Sequence, residues 1–481
     1  GPRKVKLLYE SLGVRSIADL RTTLADGRAA ALPGMGARTV ENLKREVERW
    51  EQRGSRVPLG SALPLVQDMM AALRERVGPA ILRMEEAGSV RRRRDTIGDL
   101  DILVASEAPV AVLDAFVALP QVQELVGRGD TKASVLGPKG QQIDLRAVPA
   151  DSWGAALQYF TGSKAHNVRL REIAVRKGWR LNEYGLFETA SDRKLAGAEE
   201  EEVYAAFGLP WIPPTLREDT GEIEAGLASA LPRLIQVADI RGELHSHSTW
   251  SDGQASIEEM WSAARAKGYE YLALTDHSQS LGVANGLSVE RLREQRAIVA
   301  EINRRGEGPR ILLGTELEIR ADGSLDFPDE VLAELDVVVA SVHSSFGQTR
   351  EKMTARLIAA AENPRVDIIG HPSGRLIGRR EPYEVDLEAL IAVCARTGTA
   401  LEINSHPARL DLDDVHARRA LDLGCWLAIN TDAHAPDNFD LLPYGIATAQ
   451  RAWVRPDRVL NCLPLAALLA HLKGRGQAAD R

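Results

Sequence analysis

Two aspartates flank a single residue in Asp99-Leu-Asp101, and on an extended strand of period two both carboxylates leave the same face. Adjacent carboxylates repel each other and stay ionised together only with a positive charge between them. A divalent ion supplies one, and Mg²⁺ takes one or two carboxylates together with substrate phosphates. Asp144, alternating with apolar neighbours in Gln142-Ile-Asp-Leu-Arg146, can add a third carboxylate from a neighbouring strand. Upstream stands Gly88-Ser89, a small turn whose N–H groups can approach a triphosphate, followed by Arg91 to Arg94. An Asp-Leu-Asp tripeptide alone is usually a solvated strand edge; the turn, the arginines and the third aspartate reverse that reading. A second constellation lies far downstream. His245-Ser-His247 places two imidazoles on one face of a strand end, and Asp252, Asp276-His277, Glu316, His343, His371 and Asp432-Ala-His434 follow. Six of these histidines with Asp252, Glu316 and Asp432 form a borderline-soft donor set, suited to Zn²⁺, Mn²⁺ or Fe²⁺ rather than Mg²⁺ alone. Asp276 reads as a partner of a ligand. His166, His406, His416 and His471 read as surface or packing residues.

The elements that must position these groups follow two grammars. Residues 58–150 alternate helical runs (Leu65 to Val77, Val110 to Leu119) with short strands at Asp99–Val104 and Gln142–Arg146. From Trp153 to about Gly208 the pattern is mixed, with a helix near Asn167 to Lys177. Leu209-Pro-Trp-Ile-Pro-Pro214 and the polar stretch to about Ile240 read as an interdomain linker. Beyond Gly242, apolar runs such as Tyr271-Leu-Ala-Leu, Val337-Val-Val-Ala and Ala400-Leu-Glu-Ile alternate with helical stretches, which predicts parallel β/α architecture. Nearly every run ends in His, Asp or Glu, and in a β/α barrel those carboxyl ends converge on one face.

Composition agrees. The 481 residues are 44% apolar and 27% charged, enough for two to four domains and unlike a disordered or collagenous chain. No apolar run approaches the ~20 residues of a membrane span, and no signal-peptide pattern opens the chain. The three cysteines, far apart, argue against a disulfide framework or a thiolate zinc site. A soluble, cytoplasmic protein is expected. Residues 1–100 hold 19 Lys and Arg against 13 Asp and Glu, a balance of +6 that leaves −14 for the rest, so the front end is the part expected to meet a polyanion.

Gly88-Ser-Val-Arg-Arg92, Asp99-x-Asp101 and Asp144 resemble the palm of family X DNA polymerases, within the nucleotidyltransferase superfamily. Tyr159-Phe-Thr-Gly-Ser163, with Asn167, Arg171 and Asn182-Glu-Tyr184, is similar to that family's thumb and narrows the resemblance to polymerases. It implies that Asp99, Asp101 and Asp144 hold Mg²⁺ or Mn²⁺ and carry catalysis, and that Ser89 and Arg92, beside Gly88, contact the triphosphate. Tyr159, Phe160 and Gly162 would line the sugar, with Asn167 and Arg171 near the nascent pair and template. Two positions depart from the vertebrate pattern: Arg93 replaces a Gly and Lys164 an Asp. Leu32-Pro-Gly-Met-Gly-Ala-Arg-Thr39 resembles a helix-hairpin-helix, in which Gly34, Gly36 and Arg38 would grip a DNA backbone at a helix N-terminus. The nine downstream ligands resemble a PHP (polymerase and histidinol phosphatase) domain, a distorted β/α barrel with three metals. By that likeness His245, His247, Glu316 and Asp432 surround one ion, Glu316 bridges to a second at His343 and His371, and Asp252, His277 and His434 take the third. Arg375 and Arg409 could bind phosphate or stand as solvated surface charges.

The expected architecture is thus multidomain α/β: truncated fingers over 1–57, a nucleotidyltransferase palm over 58–150, a thumb over 151–210, a linker over 211–240 and a PHP barrel over 241–481. A palm followed by an intact PHP domain is the arrangement of bacterial-type family X polymerases. It implies gap-filling synthesis in base excision repair with 3′–5′ exonuclease activity, acting as a monomer on gapped or nicked DNA, 3′ ends and dNTPs, with no membrane partner. A small-molecule phosphoesterase with a non-polymerising nucleotide-binding front half is the alternative, and a non-catalytic DNA-gap binder the weakest reading. No counterpart of the family's N-terminal lyase domain is recognised, so little deoxyribose-phosphate lyase activity is expected; borohydride trapping on abasic DNA should yield no covalent adduct.

Overall fold

The computed structural model describes residues 2–36, 39–41, 43, 44, 47 and 56–479. At the front, helices Pro2–Leu12 and Ile17–Ala25 and the 3₁₀ turn Arg28–Ala31 enclose a small core of Leu8, Leu24, Ala29, Met35, Val40 and Val47. The second helix starts at a capping box, Ser16 Oγ accepting from Asp19 N while the Asp19 carboxylate accepts from Ser16 N. Val40, Leu43 and Val47 recur at helical spacing and turn toward this small core.

The palm is a five-stranded sheet ordered Arg83–Glu86, Leu100–Ala105, Gln142–Val148, Lys132–Leu136 and Glu124–Arg128. Its two central strands run parallel, with Asp101 opposite Asp144. Period two sorts the side chains. Leu100, Ile102, Val104, Ile143 and Leu145 face one way and pack with helices Leu59–Val77 and Pro109–Val117. Leu103 and Ala105 face the other way, beneath helix Trp153–Thr161, and leave Asp101 open on that same face.

The thumb follows with helix Lys164–Arg176, capped by Ser163, a three-stranded antiparallel sheet and helix Glu200–Ala206. The segment expected as a linker is folded against it. Prolines 210, 213 and 214 hold it out of regular structure, yet Ile212, Leu216, Ile223 and Leu234 enter the thumb core. Arg217 is wholly buried and pairs with Glu200, whose carboxylate also takes Arg91 of the palm turn at 2.9 Å and Trp211 Nε1 at 2.7 Å. Glu222, equally buried, accepts from the His166 ring at 2.6 Å, which makes His166 a packing residue.

From Gly242 seven parallel strands pair in chain order, Gly242–Glu243, Tyr271–Leu274, Arg310–Glu318, Val337–Ser341, Ile368–Ile369, Ala400–Asn404 and Leu427–Asn430. A parallel bridge between Ser246 and Ala433 joins the extensions of the first and last, so the barrel is nearly closed. Leu244, Ala273, Leu312, Val339, Ile368 and Ala428 fill its interior together with Leu468 and Leu472 of the last helix, Leu465–Ala479. A larger core lies between strands and outer helices, as expected of short strands buried on both faces. Among the described residues no helix is long and apolar enough to cross a membrane.

Burial alone would raise the Glu200 carboxyl, but the Arg217 and Arg91 guanidiniums hold it down to about 2. Its stabilising contribution is therefore complete at neutral pH and is lost as pH falls from its ordinary 4.5 toward about 2. Glu200→Ala strands the buried Arg217 guanidinium and the partly buried one of Arg91 and should destabilise the palm–thumb unit by about 3–5 kcal/mol, read as a lower denaturation midpoint.

Candidate functional sites

A cleft of about 520 Å³ opens between palm and thumb, and Gly88, Ser89, Arg92, Asp99, Asp101, Tyr159, Phe160, Gly162, Asn167 and Arg171 all line it. Ser89 stands in a four-residue helical turn, Gly88–Arg91. Gly88 has φ +59°, and a Cβ there would lie 2.1 Å from Asp101 Oδ2, so only glycine lets the turn approach the carboxylate. Asp99 precedes the strand in a bend and is exposed, whereas Asp101 is half-buried. Burial, then Asp144 and Asp99, push the Asp101 carboxyl up to about 7. Asp144 goes the other way: burial raises it, but Lys132 at 2.6 Å and hydrogen bonds from Ser134 and Gln142 hold it below the ordinary value. A cation between Asp99 and Asp101 would relieve this repulsion, so the donors fit a divalent ion.

The Tyr159 and Phe160 rings meet edge to face at 5.1 Å, and the Arg146 guanidinium lies 4.5 Å over Phe160. Asn167 is buried and committed, its amide donating to the Tyr159 carbonyl at 2.7 Å and accepting from Gln158. Arg171 Nε donates to the Asn167 carbonyl. Arg93, where the vertebrate pattern leads one to expect a Gly, has φ +56° and turns away from the cleft to Glu86 at 2.7 Å. It keeps the glycine-like backbone at the strain of a left-handed non-glycine residue, about 1 kcal/mol. Lys164 is exposed on the cleft wall. Arg94, of the arginine run, and Arg56 and Lys132, which sequence patterning left aside, bring further positive charge to the cleft or the aspartates. At the front, Gly34 has φ +75° and the Gly36 carbonyl accepts from Thr39 and Val40 N–H, opening the next helix. Arg38 lies outside the described residues.

At the carboxyl ends of the barrel strands the nine downstream residues converge around Glu316. Its Oε2 faces His245 Nε2 at 3.3 Å, His247 Nε2 at 3.5 Å and His277 Nδ1 at 3.0 Å; its Oε1 faces His343 Nε2 at 3.1 Å and His371 Nε2 at 2.9 Å. Three groups have donor atoms within 4.8 Å of one another: His245, His247, Glu316 and Asp432; His247, Asp252, His277 and His434; and His277, Glu316 and His343. The first is the set expected from sequence, and the second adds His247 to the expected three. In the third, His277 joins Glu316 and His343, with His371 reaching the group through Glu316.

Whether the residues suit metal can be judged from their unsatisfied atoms. His245 Nε2, His247 Nδ1 and His277 Nδ1 are buried and make no hydrogen bond, although carboxylate oxygens lie 3.0–3.8 Å away. Such nitrogens point into shared space rather than at an acceptor, the disposition that divalent ions require of neutral imidazoles. Burial and neighbouring His277 and His434 push His247 down to about 4, toward that neutral form. Burial would raise Glu316 and Asp432, but the surrounding imidazoles hold both well below the ordinary carboxylate range.

Behind these groups stand carboxylates that periodicity did not single out. Glu402 takes His245 Nδ1 at 2.7 Å and the His371 backbone N–H at 2.7 Å, and Glu318 takes His343 Nδ1 at 2.9 Å, fixing the outward ring nitrogens of His245 and His343. The signal was present as Glu in otherwise apolar strands, Ala400-Leu-Glu-Ile and Gly314-Thr-Glu-Leu-Glu318. Asp276 accepts from Ser248, Ser251 and Gln295 and stays outside the three groups. Arg375 is structural: it donates to the Arg409 and Leu410 carbonyls and pairs with Asp95 of the palm at 3.2 Å. Arg409 stands 3.7 Å from Asp432 with a buried Nη1 that makes no hydrogen bond.

Comparison with known proteins adds independent findings. Residues 156–218 match the DNA polymerase beta thumb and residues 243–406 the PHP domain. The chain is 41% identical over 475 residues to the DNA polymerase/3′-5′ exonuclease PolX of Bacillus subtilis (strain 168), covering 98% of this chain and 83% of that protein. A probable phosphatase of Thermoanaerobacter sp. (strain X514) is 30% identical over 232 residues, 46% of this chain and 89% of its own. A ternary complex of Leishmania infantum polymerase beta aligns over 45% of this chain and 94% of that one, with 24% identity and a TM-score of 0.33. Likeness sustained through both the cleft and the barrel, over nearly the whole chain, makes this protein a member of the PolX family of DNA polymerase/3′-5′ exonucleases.

Proposed function

We infer that this chain is a bifunctional DNA repair enzyme, in which the palm cleft extends primers across short gaps and the barrel cluster degrades DNA from 3′ ends. The observation that carries this is the gathering, in one cleft, of the Gly88-Ser89 turn, Arg92, the Asp99–Asp101 pair and the Tyr159-to-Gly162 segment. The reading is supported by the named activities of the Bacillus subtilis relative. Ser89 and Arg92 hold the triphosphate of a dNTP; Tyr159, Phe160 and Gly162 bound its sugar; and Arg171 borders the template. Asn167, tied to Tyr159, keeps that wall in place. Gly34, Gly36 and Arg38 hold the backbone of gapped or nicked DNA through contacts indifferent to sequence.

Asp99, Asp101 and Asp144 would hold Mg²⁺ or Mn²⁺, and the three barrel groups, with His371 beside Glu316, would hold three divalent ions, Mn²⁺, Zn²⁺ or Fe²⁺. Ions bound there supply charge on the attacking and leaving oxygens of a phosphodiester and a more acidic water. Glu318 and Glu402 keep the imidazole rings turned inward, and Arg409 offers its free nitrogen to phosphate. The division that accompanies this reading is fingers to 57, palm to 150, thumb to about 210, a packed connection to 240 and the barrel beyond. Base excision repair in the cytoplasm, as a monomer, is the setting that suits such substrates.

A second reading, a phosphoesterase of small monoesters with an idle front half, is favoured by the likeness of the barrel half to a probable phosphatase. A 5′-labelled primer in a one-nucleotide gap with Mn²⁺ separates the two. Under the leading reading the primer lengthens with dNTPs and shortens without them, whereas monoester turnover with no DNA product establishes the second. Asp101→Ala should lose extension by at least about a hundredfold, exceeding the loss of an outer partner of a metal site, while degradation persists. Glu316→Gln should do the reverse; either variant losing both activities contradicts independent sites. Equilibrium dialysis against Mn²⁺ should also find fewer ions bound by Glu316→Gln than by the parent chain.

A further inference from the structure

We propose that Arg451, at the end of the outer barrel helix Leu442–Arg451, is a positioning residue for the polymerase nucleotide site, holding Arg92 at the palm cleft through Glu218 and through the Arg92 backbone. This rests on the reading of Arg92 as a triphosphate contact.

The geometry is a chain of shared donors. Arg92 Nε donates to Glu218 Oε1 at 2.9 Å and its Nη1 to the Thr161 carbonyl. The same Glu218 oxygen accepts Arg451 Nη1 at 3.0 Å, and that nitrogen also reaches the Arg92 carbonyl at 3.2 Å. One barrel side chain thus touches both the backbone of Arg92 and the carboxylate that orients its guanidinium. Arg451 is anchored in turn by Asp414 at 2.5 Å, on helix Asp414–Asp422, and Arg94 of the palm lies 3.9 Å from that carboxylate. The Arg451 side chain is 4% exposed and that of Arg92 13%, so both pairs are poorly screened by water.

Two consequences follow from the charges. Three guanidiniums, those of Arg92, Arg94 and Arg451, share two carboxylates, which leaves positive charge for an anion in the cleft. Without Arg451, Glu218 would place its charge on the remaining palm arginines, and the Arg92 carbonyl would lose a donor. Arg92 would then be both less fixed and more neutralised, and each effect weakens triphosphate binding. The forked guanidinium matters because its two terminal nitrogens serve Glu218 and Asp414 at once; a lysine offers a single point charge.

Single-nucleotide incorporation into gapped DNA by the full chain, titrated with dNTP, tests this with Arg92→Ala, Arg451→Ala, Arg451→Lys and the double variant Arg92→Ala/Arg451→Ala. Arg451→Ala should raise KM for dNTP about tenfold with kcat changed by less than about twofold, and Arg451→Lys should fall between it and the parent. Degradation of 3′ ends by the same preparations should be unchanged, which reports an intact barrel. Because Arg451 acts through Arg92, the double variant should match Arg92→Ala alone. Multiplying KM effects, or an unchanged KM in Arg451→Ala, would overturn the inference. An unchanged KM in Arg92→Ala would instead sink the triphosphate assignment, and the inference with it. Should Arg451→Ala not fold, Arg451→Lys paired with Arg92→Ala gives the same comparison.

Discussion

A single buried carboxylate, Glu316, faces five imidazoles with nitrogen–oxygen separations of 2.9–3.5 Å, and much of the barrel exists to make that crowding tolerable. Charge of this density, away from water, is stable only where every group is fixed and compensated. Closure of the strands through the Ser246–Ala433 bridge brings the first and last strand ends together and sets Asp432 against His245 and His247. Glu402 and Glu318 then hold the outer nitrogens of His245 and His343, and the Glu402 carboxylate is itself held by Asn404 and Asn430. A layer of buried acids behind a layer of imidazoles leaves His245 Nε2, His247 Nδ1 and His277 Nδ1 without a hydrogen bond within the chain.

The palm solves a similar problem with fewer groups. Three carboxylates meet beside a turn that glycine alone permits, and Lys132 pairs directly with Asp144. Burial first, and then the charges of Asp144 and Asp99, account for the raised proton affinity of Asp101. The arginines nearby are not loose: Arg91 is committed to Glu200, Arg93 to Glu86 and Arg92 to Glu218. Positive charge is thereby held beside the Gly88-Ser89 turn without collapsing onto the aspartates.

Much of this was legible from residue types alone, because spacing on a regular element dictates direction. His245-Ser-His247 had to place two rings side by side, whereas Asp99, expected on the strand of Asp101, lies in the bend that precedes it. The Pro-rich segment after Gly208 was the least legible. Proline signals a break in regular structure, but says nothing about whether the broken chain is packed; Ile212, Leu216 and Ile223 decide that by entering the thumb core. Arg375 was ambiguous for the same reason, since a loop arginine is free or structural according to which carbonyls and acids surround it.

The sequence by itself determined which groups are candidates for chemistry and on which elements they ride: the palm aspartates, the barrel set of acids and histidines, the glycine turn, the alternating grammar of palm and barrel. These depend on local periodicity and on residue identity, which are properties of the chain. Only the tertiary structure decided the sharing of ligands, with His247 and His277 each joining two groups, and the identity of the acids behind the rings. It alone could join Asp95 to Arg375 and Arg92 to Arg451, pairs separated by 280 and 359 residues. Such contacts arise from how domains dock, and docking is set by surfaces that no local pattern encodes.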